Sequence, residues 1–127
     1  MSSLKRITLH LARDKQHPEG SIRHGYTFVA PLDEAGRIDA AAYAANRGAC
    51  TVHRFWADEP EQVGWLKHKP GGAGGATWGF DYDANKDTDD EYGHRFGDHA
   101  FVAGEYVSVR DDGGVLHTFR VAGVKPF

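Results

Sequence analysis

The chain has 127 residues, of which 40% are hydrophobic and 26% are charged, and its formal net charge at pH 7 is −3. This length is typical of a single domain, residues 1–127, with a hydrophobic core of its own. The slightly negative charge argues against nucleic acid as a partner, because nucleic-acid-binding domains are usually basic.

Cysteine content and hydropathy indicate the compartment. Cys50 is the only cysteine and cannot form an internal disulfide, so we expect a reducing, cytoplasmic location. His10 interrupts the N-terminal apolar run after three residues, which does not match a signal peptide. No stretch approaches the roughly 20 apolar residues of a membrane-spanning helix, so we expect no membrane association.

Two strands with alternating patterns begin the chain. In residues 5–12, polar side chains alternate with apolar ones, which predicts a half-buried strand whose His10 faces outward. Residues 22–30 show the same period, and Pro31 is expected to end this second strand. Its predicted inward face carries His24, Tyr26, Phe28 and Ala30.

One helix is predicted, over residues 40–47, where alanine predominates. Asp39 is placed to cap its first turn by accepting a backbone N–H bond. Gly48 suits the left-handed position that follows a helix. Because two turns are marginally stable alone, the helix must pack on the sheet.

Three further strands are predicted between residues 49 and 82. The first, residues 49–56, carries large apolar groups on both faces, so its orientation, and whether His53 faces inward, stay open. Residues 63–69 form a short strand whose Trp65 we expect in the core. The third, residues 76–82, has an aromatic face formed by Trp78, Phe80 and Tyr82.

The C-terminal part predicts a β-hairpin, since an Asp-Gly pair separates two alternating runs. A two-residue loop, Asp112-Gly113, mixes apolar and polar groups on both faces. A three-residue loop, residues 111–113, divides them more cleanly and is preferred, with Gly113 left-handed at a bulge. The inward face then consists of Val107, Val109, Val115, His117, Phe119 and Val121.

Short strands separated by frequent turns dominate this pattern, and sixteen glycines agree with many turns. We therefore expect a mainly β fold, a small antiparallel barrel or roll of about seven strands with one short α-helix (residues 40–47).

An acidic stretch follows the aromatic strand and has a spacing typical of the first half of an EF-hand calcium loop. Lys86 occupies the position where that loop needs glycine, and Tyr92 the position where it needs a bidentate glutamate. A solvated acidic turn is the alternative. The candidate Ca²⁺ ligands are Asp81, Asp83, Asn85, Asp87 and Asp89.

A glycine-rich stretch, residues 71–75, precedes the aromatic strand. It matches neither GxxxxGK[ST] nor GxGxxG, and no helix follows it to bind a phosphate. We therefore expect a hairpin loop there.

Eight histidines are present, and the alternating patterns direct at least two of them inward. Each inward histidine is interpreted either as a hydrogen-bonded core residue or as part of a cluster that binds a metal or transfers protons. The candidate ligand-binding residues are His24, His53, His117, Trp78, Phe80 and Tyr82.

Three functions remain open. Because no catalytic motif is present, we favour a non-catalytic binding module for a protein partner or a small apolar ligand. The alternatives are a Ca²⁺-binding domain using residues 81–91 and a small enzyme using the inward histidines. An exposed edge strand offers a route to a homo-oligomer.

Overall fold

The computed structural model describes residues 2–69, 77–82, 91–94, 96, 99–111 and 113–127. Its strands form a closed antiparallel barrel in which each strand pairs with the next and the last pairs with the first. The predicted mainly β fold with one short helix is confirmed, with eight strands where about seven were expected. The strands are β1 Ser3–Leu11, β2 Ser21–Leu32, β3 Thr51–Trp56, β4 Gln62–Lys69, β5 Thr77–Asp81, β6 Glu91–His94, β7 Tyr106–Arg110 and β8 Leu116–Pro126.

Closure of the barrel leaves each of the described strands with hydrogen-bonded neighbours on both sides. The exposed edge strand that was expected to support a homo-oligomer is therefore absent from the described part of the chain. None of the described helices is long and apolar enough to cross a membrane.

The first two strands have the predicted faces. Ile7, Leu9 and Leu11 are buried, while His10 lies on the outer surface of the barrel. Pro31 does not end β2, which continues to Leu32. β3 pairs only with residues 24–28 of β2. Pro31 therefore lies beyond the part of β2 that pairs with β3, where a residue without a backbone N–H is tolerated.

The pairing of β2 with β3 settles the orientation that the sequence left open. Val52 pairs with Phe28 and is fully buried, so Arg54 and Trp56 share its inward face by alternation. His53 points outward and is exposed, contrary to the option that it faces inward. Trp65 is also outward, at 46% exposure, so its expected place in the core is wrong.

The strand β6 was not predicted, because its four residues adjoin the acidic stretch. Glu91 begins this strand and is buried. Gly93 is required there: a Cβ atom at this position would lie 2.4–2.5 Å from the ring of Phe96.

The C-terminal hairpin has the predicted inward face but a longer loop. Val109 pairs with His117 and Arg110 with Leu116, so five residues separate the strands where three were expected. A two-residue shift preserves the faces, and only Val115, now exposed, leaves the inward set. The left-handed glycine is Gly114, with φ 84°, rather than Gly113.

The helix α1 spans Ala40–Ala45, and a short 3-10 helix follows at Arg47–Ala49. The side chain of Asp39 accepts a hydrogen bond from the backbone N–H of Ala42, as predicted. The helix ends two residues early at an Asn46 cap, and Gly48 is not left-handed. Tyr43 is the buried residue of α1, and its hydroxyl donates a 2.6 Å hydrogen bond to the carbonyl of Leu66.

The end of the barrel next to α1 is packed with rings, and we call it the aromatic end. Phe28 contacts the rings of Phe96 and Phe101, with centroids 6.0 and 5.6 Å away. Trp78 meets Tyr43 edge to face at 5.0 Å. The aromatic end is defined by Phe28, Tyr43, Trp78, Phe96 and Phe101.

Candidate functional site

The opposite end of the barrel carries inward side chains that are largely polar. Because neighbouring strands are antiparallel, the last residues of β3, β5 and β7 lie at this end together with the first residues of β6 and β8. We call it the polar end and define it by Arg54, Trp56, Tyr82, Glu91, Asp111 and His117.

Glu91 lies at the centre of the polar end and is 4% exposed, which makes it the one buried charged residue in the described part of the chain. The hydroxyl of Tyr82 donates a 2.7 Å hydrogen bond to its Oε1 atom. The Nε atom of Arg54 lies 3.6 Å from its Oε2 atom. Burial raises the pKa of Glu91 and outweighs the hydrogen bonds from Tyr82 and Tyr26 and the positive charge of Arg54, which all lower it.

Arg54 joins Glu91 to an aromatic wall. Its guanidinium carbon lies 4.6 Å from the ring centre of Trp56, a cation–π distance. Burial alone would lower the pKa of Arg54, but the charge of Glu91 keeps it raised, so Arg54 is always a cation. The guanidinium therefore presents a fixed positive charge between a carboxylate and a ring.

Asp111 and His117 form a second pair at the polar end. His117 Nε2 lies 2.9 Å from Asp111 Oδ2, and both side chains are 24% exposed. Asp111 Oδ1 also accepts backbone N–H bonds from Gly113 and Val115, which hold the hairpin loop closed. Partial burial alone would raise the pKa of Asp111, but the hydrogen bonds from His117 and the backbone outweigh it and lower the pKa.

His24 and His117, the two histidines that the sequence directs inward, meet at one tryptophan. The ring of His24 lies 4.7 Å from that of Trp56, and the ring of His117 lies 5.5 Å from it. His24 Nδ1 is 2.7 Å from the hydroxyl of Ser21. Burial, followed by the nearby charge of His17, lowers the pKa of His24, so its neutral form is favoured. The predicted inward orientation of His24 and His117 is confirmed.

The remaining predicted ligand-binding residues do not join this cluster, apart from Tyr82. His53 is outside the barrel, 2.6 Å from the carboxylate of Glu61. Phe80 is buried against Tyr26 and Phe28 in the core. Trp78 belongs to the aromatic end, where it stacks on His68 at 4.1 Å.

The predicted Ca²⁺ ligands lie mostly outside the described residues. Asp81 ends β5, and its Oδ2 atom is 3.9 Å from the ammonium of Lys67. Asp83, Asn85, Asp87 and Asp89 fall outside the described residues, as does the glycine-rich stretch 71–75. Within the described ranges, no group of three or more His, Cys, Asp or Glu side chains is arranged to hold a metal ion. The Ca²⁺ site stays a prediction.

Four residues of the polar end were missed at the level of sequence: Arg54, Trp56, Glu91 and Asp111. Arg54 and Trp56 alternate with Val52, so the orientation of one strand would have found both. Glu91 follows an acidic run in the sequence, and this composition gave no indication that its side chain is buried. Asp111 was placed in the hairpin loop without its contact to His117.

Comparisons of the chain with protein-family models, with curated proteins and with solved structures find no match.

Proposed function

We propose that the protein binds a small planar molecule at the polar end of the barrel, and that the ligand donates hydrogen bonds to carboxylates there. The observation that carries this proposal is the buried charge of Glu91, held by Tyr82 and Arg54 at a barrel end that is not filled with apolar side chains. Pairs of buried charges contribute little to stability compared with apolar packing. Such groups at the end of a β-barrel are therefore candidates for ligand recognition.

The chemistry of the ligand follows from the charges of the polar end. The polar end holds two carboxylates, Glu91 beside Arg54 and Asp111 beside His117, and one guanidinium, which favours a ligand with donor groups. Trp56 is half-buried among the rings of His24, His117 and Phe119 and offers an aromatic wall to a flat ligand. An amine or amidine attached to a ring combines both features. The sequence favoured a protein partner or a small apolar ligand. We propose a polar ligand instead, because fully buried Phe28, Phe80 and Phe119 occupy the interior.

Isothermal titration calorimetry with benzamidine, benzamide and benzoate tests this proposal, because the three probes share one ring and differ in charge. We expect benzamidine to bind most tightly at the polar end. Trp56→Leu removes the aromatic wall and Glu91→Gln removes a carboxylate, and each should weaken benzamidine binding about tenfold, the loss of one charge-assisted or ring contact.

Trp65→Leu is the matched control, since Trp65 lies on the outer surface and is exposed. Its benzamidine affinity should equal that of the unmodified protein. The proposal is contradicted if benzamidine does not bind, or if Trp65→Leu and Trp56→Leu weaken binding equally. A urea unfolding curve for each variant checks that the fold is retained.

A second candidate function is acid–base catalysis by His117, which the bond to Asp111 favours. A carboxylate that holds one ring nitrogen orients the imidazole and leaves the other nitrogen, Nδ1, to exchange a proton with a bound molecule. Arg54 supplies a positive charge for a developing oxyanion at the same end of the barrel. Proton abstraction next to a carbonyl group is a reaction that these residues support.

Exchange of the methyl protons of acetophenone for solvent deuterium, followed by NMR, tests this second candidate. We expect exchange above the buffer rate that is lost in His117→Gln and retained in His53→Gln. The two histidines are matched because each has one carboxylate partner, Asp111 inside and Glu61 outside. Exchange at the buffer rate in the unmodified protein would remove the catalytic candidate and leave the binding proposal intact.

A further inference from the structure

A cleft of about 720 Å³ lies on the outer wall of the barrel, bounded on one side by the β1–β2 connection. Its volume falls within the roughly 300–1,000 Å³ of small-molecule sites. Its floor is a row of outward side chains from three adjacent strands: Arg120 of β8 pairs with His10 of β1 and with Tyr106 of β7. None of these three residues belongs to the polar end.

The charges around the cleft favour an anion. Arg120 on the floor and Arg13 on the wall both line it, and Glu19 is the acidic residue among the lining side chains. In the described part of the chain, neither Arg13 nor Arg120 forms an ion pair or a side-chain hydrogen bond. Two guanidinium groups with no carboxylate partner among the described residues are suited to bind a carboxylate or phosphate group through paired N–H donors.

The wall of the cleft is held in place by the backbone. Gly20 has φ 77°, and a Cβ atom there would lie 2.7 Å from the carbonyl oxygen of Leu11, so the two ends of the connection approach closely. The backbone N–H of Ala12 donates a 2.9 Å hydrogen bond to the carbonyl of Thr118 on β8. Asp14 Oδ1 accepts two further backbone N–H bonds inside the connection. Because these bonds already order the connection, ligand binding would cost less conformational entropy than at a flexible loop.

Exposed apolar surface lies beside the arginines. Tyr106 is 56% exposed and Ile22 is 75% exposed, and both line the cleft together with Pro18. These side chains offer contact area for the uncharged part of a ligand. The cleft therefore combines an anion-binding group with an apolar surface.

We propose that this outer cleft binds a small organic anion, with its carboxylate or phosphate on Arg13 and Arg120 and its apolar body against Tyr106 and Ile22. This site is independent of the polar end: its floor residues face outward, whereas His117, Phe119 and Val121 of the same strand β8 face inward. Either site can fail its test without affecting the other.

Amide NMR spectra recorded during titration with benzoate test the proposal, and the neutral isostere benzamide is the control ligand. We expect saturable shifts for benzoate at Arg13, Gly20 and Arg120, and no saturable shifts there for benzamide. Arg120→Gln should weaken benzoate binding about tenfold, the loss of one charge-assisted hydrogen bond.

Arg37→Gln is the matched control variant, because Arg37 is an exposed arginine beyond the far end of β2 and does not line the cleft. Its affinity for benzoate should be unchanged. The proposal is overturned if benzoate causes no saturable shifts at the cleft, if benzamide binds there as well as benzoate, or if Arg120→Gln binds benzoate as the unmodified protein does. Unfolding midpoints of both variants confirm that they are folded.

Discussion

The aromatic end and the polar end are built from the same eight strands but use their inward positions differently. At the aromatic end, Phe28, Phe96 and Phe101 are at most 2% exposed and touch ring to ring. At the polar end, the positions contain a carboxylate, a guanidinium and a His–Asp pair. One end thus contributes most to stability, while the other retains groups suited to recognition.

The energetic contrast between the ends follows from burial. Full burial of a large apolar side chain contributes roughly 1.5–3 kcal/mol to stability. A buried ion pair contributes much less, because desolvation of the charges offsets their attraction. Substitutions at the aromatic end should therefore cost more stability than substitutions at the polar end, and ligand affinity should respond in the reverse order.

The largest effect is expected for Phe28→Ala at the aromatic end. Phe28 is fully buried and contacts Phe80, Phe96 and Phe101, so its removal should lower the free energy of unfolding by about 3–5 kcal/mol. Urea titration followed by tryptophan fluorescence measures this. Phe55→Ala on the outer face of β3 is the control and should cost clearly less. Equal losses would contradict the contrast between core and surface.

A smaller loss is expected for Gly93→Ala, which also tests packing at the aromatic end. The new methyl group would overlap the ring of Phe96, and such overpacking costs about 1–3 kcal/mol. Gly123→Ala is the matched control in β8, since a Cβ there meets nothing within 4 Å. Thermal unfolding of both variants checks the prediction, and a stable Gly93→Ala protein would show that Phe96 is packed differently.

At the polar end, Glu91→Gln and Asp111→Asn should change the pH dependence of stability in opposite directions. The pKa of Glu91 is raised by burial, so the unfolded chain releases this proton first as pH rises. The unmodified protein should therefore lose stability relative to Glu91→Gln as pH rises from the ordinary glutamate pKa to the raised one.

The pKa of Asp111 is lowered by its hydrogen bonds, which outweigh its partial burial, so the folded state releases this proton first. The advantage of the unmodified protein over Asp111→Asn should be complete above the ordinary aspartate pKa and disappear as pH falls below it. Urea unfolding across the acidic range measures both differences. If stability varied with pH in the same way in both variants, the burial assigned to Glu91 and the hydrogen bonds assigned to Asp111 would be contradicted.

The smallest effect is expected for His53→Gln. The pair that His53 forms with Glu61 is about half exposed on both sides, and such pairs contribute less than about 1 kcal/mol. His117→Gln should cost more, because its partner Asp111 also closes the hairpin loop. Unfolding curves of the two variants compare an outer and an inner His–carboxylate pair. A larger loss of unfolding free energy for His53→Gln would contradict the claim that the inner pair contributes more to stability.

Much of the barrel wall could be predicted from alternation alone. The predicted inward faces of β1, β2, β5 and β8 are confirmed, because buried apolar residues occupy every second position and the positions between them face solvent. The orientation of β3 could not be predicted in this way, because Phe55 on the outer face and Trp56 on the inner face are both large and aromatic. Only its pairing with Phe28 and Tyr26 on β2 distinguishes the two faces.

The hairpin shows why local geometry was harder to predict than faces. The Asp-Gly pair indicated a short loop, but the side chain of Asp111 accepts bonds from Gly113 and Val115 and stabilises a longer one. The resulting shift of two residues left His117 on the inward face. The face was thus predictable although the register was not.

The polar end could not be predicted, because its members come from five strands and loops that meet only when the barrel closes. Glu91 pairs with Phe80, and this pairing directs it inward. Nothing in the sequence of an acidic stretch shows which of its carboxylates is buried. Convergence of side chains depends on pairing and closure, which the pattern of a single sequence does not specify.

The three tryptophans offer the most direct test of the central claim, which is that the polar end binds the ligand. Trp56 lies inward at the polar end, Trp78 lies inward at the aromatic end, and Trp65 lies on the outer surface. NMR signals of their indole N–H groups, recorded during titration with benzamidine, report on the three places at once. We predict a saturable shift of the Trp56 signal while those of Trp65 and Trp78 stay in place. A shift confined to Trp65 or Trp78, or no shift of any, would contradict the claim.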